Sequence, residues 1–190
     1  MDEEGQAVAC KRCEEHQYRS NEMDSTTCEN CPEGWTSSSG SAKCWKCSAG
    51  EYGDVEGEAC KLCDAGQSRV STDVPTACID CDSGLYQSIT GQATCLTCVP
   101  GTYTSGTKQL ECELCSEDTF TPNSSSTACA SCDFGRFATP GSVSCTACGN
   151  GQFHTPLPHQ QYRCDTCQPG LVSQAGMFIS FFSLFGRSSR

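Results

Sequence analysis

The sequence predicts a small disulfide-rich fold, an elongated tandem array of short cysteine-rich loops and hairpins with little regular secondary structure and no single core. All 20 cysteines fall into Cys-x-x-Cys pairs that begin 16 to 19 residues apart, which indicates one short unit repeated in tandem. Leu, Ile, Val and Phe together make up only 26 of 190 residues, below the level typical of a conventional core. Covalent cross-links must therefore hold the fold.

Each unit carries the same local pattern when its positions are counted from the second cysteine of a pair. These second cysteines, which begin units 1 to 10, are Cys13, Cys31, Cys47, Cys63, Cys81, Cys98, Cys115, Cys132, Cys148 and Cys167. Position 3 is glycine in all units except 1 and 7, where it is His16 and Asp118. Position 5 is aromatic in seven units: Tyr18, Tyr52, Tyr86, Tyr103, Phe120, Phe137 and Phe153.

This pattern predicts a sharp turn beside a disulfide, because glycine adopts a positive φ without strain, and the aromatic ring is then expected to cover the sulfurs. A Ser, Thr and Gly-rich tip follows, flanked by two short strands of three or four residues. No stretch of ten or more residues between 10 and 170 has helical periodicity. We expect each unit to contact only its direct neighbours.

Two runs, Cys98-Val-Pro-Gly-Thr-Tyr-Thr-Ser-Gly and Cys81-Asp-Ser-Gly-Leu-Tyr-Gln-Ser-Ile, resemble the ephrin-receptor-like cysteine-rich repeat. The same unit is similar to the first submodule of tumour necrosis factor receptor cysteine-rich domains. The resemblance covers residues 10–176 and implies an extracellular rod of the kind found in receptors and surface proteins. The expected function is a non-enzymatic stiff spacer or protein-interaction stalk of a larger secreted or cell-surface protein, with an unidentified protein ligand along the array. A receptor-type ligand-binding ectodomain is an alternative.

The spacing alone permits two disulfide schemes. In a nested scheme, Cys10 pairs with Cys28 and Cys13 with Cys31, and so on through five modules. In a sequential scheme, the second cysteine of one pair bonds the first of the next, which leaves Cys10 and Cys167 unpaired. The family resemblance favours the sequential scheme: Cys13 with Cys28, Cys31 with Cys44, Cys47 with Cys60, Cys63 with Cys78, Cys81 with Cys95, Cys98 with Cys112, Cys115 with Cys129, Cys132 with Cys145, and Cys148 with Cys164.

The two ends of the chain differ from the array. Residues 1–9 are acidic and are expected to be disordered, and they lack the apolar stretch of a secretory signal. Residues 177–190 form a hydrophobic and then basic tail, too short in its apolar part to span a membrane. We therefore expect a fragment of a longer extracellular or cell-surface protein, attached to a membrane only through this tail or through a missing parent segment.

Other functions are less well supported by the sequence. The main rival is an intracellular multi-zinc protein with four-thiolate sites, because consecutive Cys-x-x-Cys pairs are close to zinc-ribbon spacing. Structural zinc domains usually carry Lys and Arg near their thiolates, whereas this chain is acidic, with a net charge of −11, and its glycine and aromatic pattern is typical of disulfide loops. We therefore expect no bound metal or cofactor, and the acidity also argues against nucleic-acid binding. His16, His154 and His159 lie in no nucleophile motif, so no catalytic site is predicted.

A glycosylation site is predicted at Asn123. The run Asn123-Ser124-Ser125 matches the acceptor sequence for N-glycosylation and falls on a predicted exposed tip.

Overall fold

The computed structural model describes residues 10–20, 26–133, 135–154 and 164–173. In these segments there is no helix, no closed sheet and no single core, which confirms the predicted disulfide-rich class. The predicted strand length was wrong, because nearly every strand has two residues. The strands are β1 (Gln17–Tyr18), β2 (Glu29–Asn30), β3 (Trp35–Thr36), β4 (Trp45–Lys46), β5 (Glu51–Tyr52), β6 (Lys61–Leu62), β7 (Gln67–Ser68), β8 (Ile79–Asp80), β9 (Leu85–Tyr86), β10 (Leu96–Thr97), β11 (Thr102–Tyr103), β12 (Glu113–Leu114), β13 (Thr119–Phe120), β14 (Ala130–Ser131), β15 (Arg136–Phe137), β16 (Thr146–Ala147), β17 (Gln152–His154) and β18 (Cys164–Thr166).

Two compact halves make up the chain. The first comprises residues 1–81 and 87–96, and the second comprises residues 82–86 and 97–190. In each half, strands that follow one another in sequence pair as antiparallel two-stranded hairpins. These pairs are β1–β2, β3–β4, β5–β6 and β7–β8 in the first half, and β11–β12, β13–β14, β15–β16 and β17–β18 in the second.

A hydrogen-bonded turn opens every unit. The N–H of position 4 donates to the carbonyl of position 1, as from Thr102 to Val99 at 3.1 Å. Position 3 has a positive φ, 84° at Gly101, as a type II turn requires. The two exceptions in the sequence adopt the same conformation, with φ of 63° at His16 and 57° at Asp118. The turn therefore belongs to the unit, and glycine is its usual rather than its obligatory occupant.

Disulfides join consecutive pairs throughout the described residues. The cysteines are bonded in the sequential order, Cys13 to Cys28 first and Cys148 to Cys164 last, with sequence separations of 13 to 16. In eight of these nine disulfides the second cysteine of a pair is buried and its partner is half-buried. Cys31, Cys63, Cys98 and Cys115 are 0 % exposed. Cystine sulfurs thus occupy the interior that apolar side chains fill in other small domains.

Main-chain hydrogen bonds connect each unit to the next. At seven junctions of the described part of the chain, the N–H of position 3 donates to the carbonyl of position 6 in the following unit, as from Gly50 to Arg69 at 2.8 Å and from Gly101 to Thr121 at 2.9 Å. The tip of the following unit returns a bond to the second cysteine, as from Gly141 to Cys115 at 2.9 Å. Stacking is therefore set by the backbone and does not depend on a particular side-chain sequence.

Contacts also reach the second neighbour, so the expectation that each unit touches only its direct neighbours was wrong. A Cβ built on Gly50 in unit 3 would lie 2.1 Å from the carbonyl oxygen of Gly91 in unit 5. In the second half, a Cβ on Gly101 would lie 2.2 Å from the oxygen of Gly141, again two units on. The reason is that each long tip extends beyond the adjacent unit. At Gly50 and Gly101, glycine is therefore needed for a second reason besides its φ.

We predict that Gly50→Ala destabilises the array by several kcal/mol, because the new methyl group collides with main-chain atoms of Gly91 that cannot move alone. Gly40→Ala is the matched control. Gly40 has nearly the same φ, 77° against 79°, but its Cβ would meet only the flexible Arg12 side chain at 3.6 Å. Chemical unfolding of the oxidised proteins should show a loss of about 1 kcal/mol for the control, which is the cost of the left-handed conformation alone. Equal losses in the two variants would contradict the second-neighbour contact.

Candidate interaction surface

The surface residues available for recognition lie on the two faces of the hairpins. Position 5 pairs across the hairpin with the first residue between the next two cysteines, as Tyr52 does with Lys61. Position 4 pairs with the second of these residues, as Glu51 does with Leu62. Because side chains alternate between faces along a strand, each hairpin presents one pair on each face.

The face that carries position 5 holds a large apolar or aromatic side chain in each of these pairs. Where position 5 is not aromatic, its cross-strand partner is the large apolar side chain of the pair. Trp45 lies opposite Thr36, and Ile79 lies opposite Ser68. Trp45 remains 44 % exposed and Ile79 57 % exposed. Cross-strand pairs of this kind stabilise a two-stranded ribbon, and they leave apolar surface open to solvent.

Charged partners lie opposite several of the tyrosines. The hydroxyl of Tyr18 donates to Glu29 at 3.4 Å, and a hydrogen bond with Glu113 raises the pKa of Tyr103. Lys61, opposite Tyr52, contacts Asp54 at 2.7 Å, and this hydrogen bond lowers the pKa of the Asp54 carboxyl. These pairs are exposed and contribute little to stability. They give successive hairpins different polarity on the same framework.

The opposite face is partly covered by the tips. The second residue between two cysteines lies against a tip glycine two units further on. A Leu62 carbon is 3.0 Å from a Cβ built on Gly91, and a Leu114 carbon is 3.1 Å from one built on Gly141. Even so, Leu62 is 55 % exposed and Leu114 62 % exposed. Lys46 lies over the Trp35 ring at 5.8 Å on this face of the second hairpin.

Position 6 carries a buried polar side chain in five units, at Ser37, Arg69, Gln87, Thr104 and Thr121. Ser37, Thr104 and Ser173 each donate to the position 4 carbonyl of the preceding unit, at 2.7, 3.4 and 2.6 Å. Ser37 and Thr104 are 4 % and 3 % exposed. A side-chain hydrogen bond therefore reinforces the main-chain bonds between these units.

Arg69 fills the same position in unit 4 and is 0 % exposed. A guanidinium group removed from water is costly unless hydrogen bonds replace its hydration. Here main-chain carbonyls of the preceding unit and of the tip of unit 4 itself accept the hydrogen bonds that water would otherwise accept. Its acceptors are Glu51 through Nε, Cys47 and Ser48 through Nη2 at 2.7 and 2.6 Å, and Val70 and Asp73 through Nη1 at 3.3 and 3.4 Å.

The predicted site residues lie as follows. The cysteines that the structure pairs are disulfide-bonded and cannot act as thiolate ligands. In this oxidised form they supply none of the ligands that a four-thiolate zinc site requires. Cys10 is an exposed thiol and Cys167 is a half-buried one. Over the described ranges no group of three or more His, Cys, Asp or Glu residues could hold a metal ion. Asn123 is exposed on the tip of unit 7.

The three histidines do not come together. His16 lies in the unit 1 turn, and its Nδ1 is 2.8 Å from the hydroxyl oxygen of Thr36. His154 ends β17, and His159 lies outside the described residues, as do the 1–9 segment and the 177–190 tail. A membrane-crossing helix of sufficient length and apolarity is absent from the segments that the structure describes.

Sequence reasoning missed two residues. Arg69 was not singled out, although it occupies the position at which Ser37 and Thr104 hold hydroxyl donors. Asp118 was noted only as an exception to glycine, but its Oδ1 accepts a hydrogen bond from the N–H of Ala138, at 3.3 Å, in the next unit. Alignment of position 6 across the units could have revealed Arg69; the Asp118 contact depends on stacking.

Comparison with known proteins identifies part of the array. The model of the family described as "Tyrosine-protein kinase ephrin type A/B receptor-like" matches twice, over residues 71–108 and 101–139. No curated protein matches the chain. Together with the tandem disulfides, the family match confirms the resemblance drawn from the sequence. It indicates an extracellular, receptor-like segment, and the matched repeat is a non-catalytic module of receptor ectodomains.

We expect Arg69→Met to lower the free energy of unfolding by about 3 kcal/mol, because it leaves buried carbonyls without a donor. Arg136→Met is the control, since the Arg136 side chain is exposed and makes one long bond, 3.3 Å, to Cys145. Its effect should stay within about 0.5 kcal/mol. Denaturant titration of the oxidised proteins measures both values. A loss for Arg69→Met no larger than for the control would show that the hydrogen bonds from Arg69 to main-chain carbonyls do not stabilise the fold.

Replacement of Cys81 by Ser should release one additional thiol, at Cys95, because these two sulfurs are bonded. Alkylation without reductant followed by peptide mapping locates it. The unsubstituted protein is the reference and should be labelled only at Cys10 and Cys167. New label at Cys98 would instead indicate the nested scheme, and label at neither cysteine would contradict both schemes.

Proposed function

We propose that this chain, whose residues 71–139 are ephrin receptor-like repeats, acts as a stiff extracellular spacer or protein-interaction stalk. The observation that carries the proposal is the repeated hydrogen bonding between units. Position 3 of one unit is bonded to position 6 of the next in both halves, as from His16 to Ser37 at 3.0 Å and from Gly84 to Thr104 at 3.0 Å. A linker whose units moved independently of one another would lack such hydrogen bonds.

Stiffness follows from how each junction is restrained. A unit is covalently closed by its disulfide, then bonded to the next unit by main-chain groups, then touched by the tip of the second neighbour. Bending a junction must break buried backbone hydrogen bonds or push main-chain atoms together. Because each unit in the described part of the chain contacts only the units one and two places along the array, units can also be added or removed without a change of fold.

The interaction role is supported by the exposed apolar residues between the cysteines. Trp45, Leu62, Ile79, Leu96 and Leu114 are each at least 44 % exposed. Of these, Trp45 belongs to the aromatic class that is enriched where protein surfaces associate. The residue types at these hairpin positions can vary without altering the disulfides or the hydrogen bonds between units.

The spacer proposal predicts that length follows the number of units. Excision of residues 98–114, one complete unit, joins Thr97 to Cys115 and keeps the pair spacing, so the remaining disulfides can still form. Duplication of the same segment is the matched variant. Small-angle X-ray scattering should give a shorter maximum dimension for the excision and a longer one for the duplication, with the same cross-section in both.

Two results would count against the spacer proposal. One is a change of cross-section at constant length, which indicates a globular arrangement. The other is a scattering profile of a flexible chain although thiol labelling still shows only two free cysteines, as in the parent protein.

A further inference from the structure

The tip of unit 7 carries the acceptor sequence Asn123-Ser124-Ser125, which the spacer function does not use. All three residues are exposed. The tip is held by the main-chain oxygen of Asn123, which accepts a hydrogen bond from the hydroxyl of Ser126 at 2.9 Å, and not by the side-chain amide of Asn123. A sugar on this amide would therefore project into solvent and leave that bond intact.

The backbone of the tip is hydrogen-bonded to unit 6 at Ser125 and Ser126. The N–H of Ser125 donates to the carbonyl of Cys98 at 2.9 Å, and Ser125 has φ of 55°. The carbonyl of Ser126, next in the chain, accepts from Thr104 at 3.2 Å. The tip thus has a left-handed residue at its third acceptor position, where a non-glycine side chain adopts this conformation only when its surroundings impose it.

Packing beneath the tip leaves it no room to rearrange inward. The carbonyl oxygen of Ser125 lies 2.3 Å from where a Cβ on Gly84 would stand, so it occupies the space that glycine leaves in unit 5. To enter the peptide groove of a transferase, the acceptor segment must release its bonds to Cys98 and Ser126. Such a release requires local opening of the loop between Cys115 and Cys129.

We propose that Asn123 is an N-glycosylation site that is modified before unit 7 folds and is inaccessible to the transferase afterwards. Nδ2 of Asn123 attacks the anomeric carbon of a lipid-linked oligosaccharide, the bond from that carbon to the lipid pyrophosphate breaks, and the amide loses one proton. Closure of the Cys115–Cys129 loop then competes with transfer, so the occupancy depends on how fast this disulfide forms.

The test is translation of the full chain into microsomes behind a cleavable secretion signal. The wild type should gain one glycan that peptide N-glycosidase removes. Asn123→Gln should abolish it, whereas Ser124→Ala, the matched control within the same tip, should leave it unchanged. Dithiothreitol present during translation should raise the occupancy, because the loop stays open.

The order of events is tested separately on purified chain. Oxidised, unglycosylated protein and the same protein after reduction and alkylation are each incubated with transferase and lipid-linked oligosaccharide. The folded form should be modified at least about tenfold more slowly, because only its locally opened fraction is a substrate.

Three outcomes would overturn the inference. Absence of glycan on the wild-type chain in both assays, or its persistence in Asn123→Gln, would remove the site. Equal rates for the oxidised and the reduced chain would keep the site but refute the order of events. None of these outcomes bears on whether the array is a spacer.

Discussion

The covalent link from the second cysteine of one pair to the first of the next is the constraint on which the structure depends. It closes loops with sequence separations of 13 to 16, and in eight of the nine bonds that the structure describes one of the two cysteines is buried. Loops of this size contribute roughly 3 kcal/mol each in the chain-entropy model. A chain with so few apolar residues has no comparable alternative, so each unit is stabilised locally and no residue serves as a common centre.

Position 3 converts these closed loops into an array. Its positive φ turns the chain after the cysteine, its N–H donates to the next unit, and in Gly50, Gly84 and Gly101 its missing side chain makes space for the tip of the second neighbour. Asp118 shows what a non-glycine residue needs there, since its carboxylate takes part in the junction by accepting from Ala138. One local conformation therefore sets both the turn and the stacking.

The division between interior and surface explains how one framework can present different surfaces. The interior consists of cystines, main-chain hydrogen bonds and polar side chains at position 6, of which Arg69 is the largest. The exterior consists of cross-strand pairs whose members vary from Tyr18 with Glu29 to Thr36 with Trp45. Because the exterior pairs do not determine the stacking, apolar and charged residues can change there without loss of the fold. This separation suits a module that serves as a spacer and can also carry a binding surface.

The sequence by itself determined the class of fold, the unit length and the turn, because cysteine spacing and the glycine at position 3 act within one loop of chain. It left two disulfide schemes open, since both close loops of acceptable size, and only the family resemblance favoured one. The tertiary structure decided what depends on the approach of distant units: the contact of Gly50 with Gly91, the burial of Arg69 among carbonyls and the fixing of Ser125 against Gly84. These contacts join residues 18 to 41 positions apart, and no local pattern marks them, because their partners are main-chain atoms that every residue possesses.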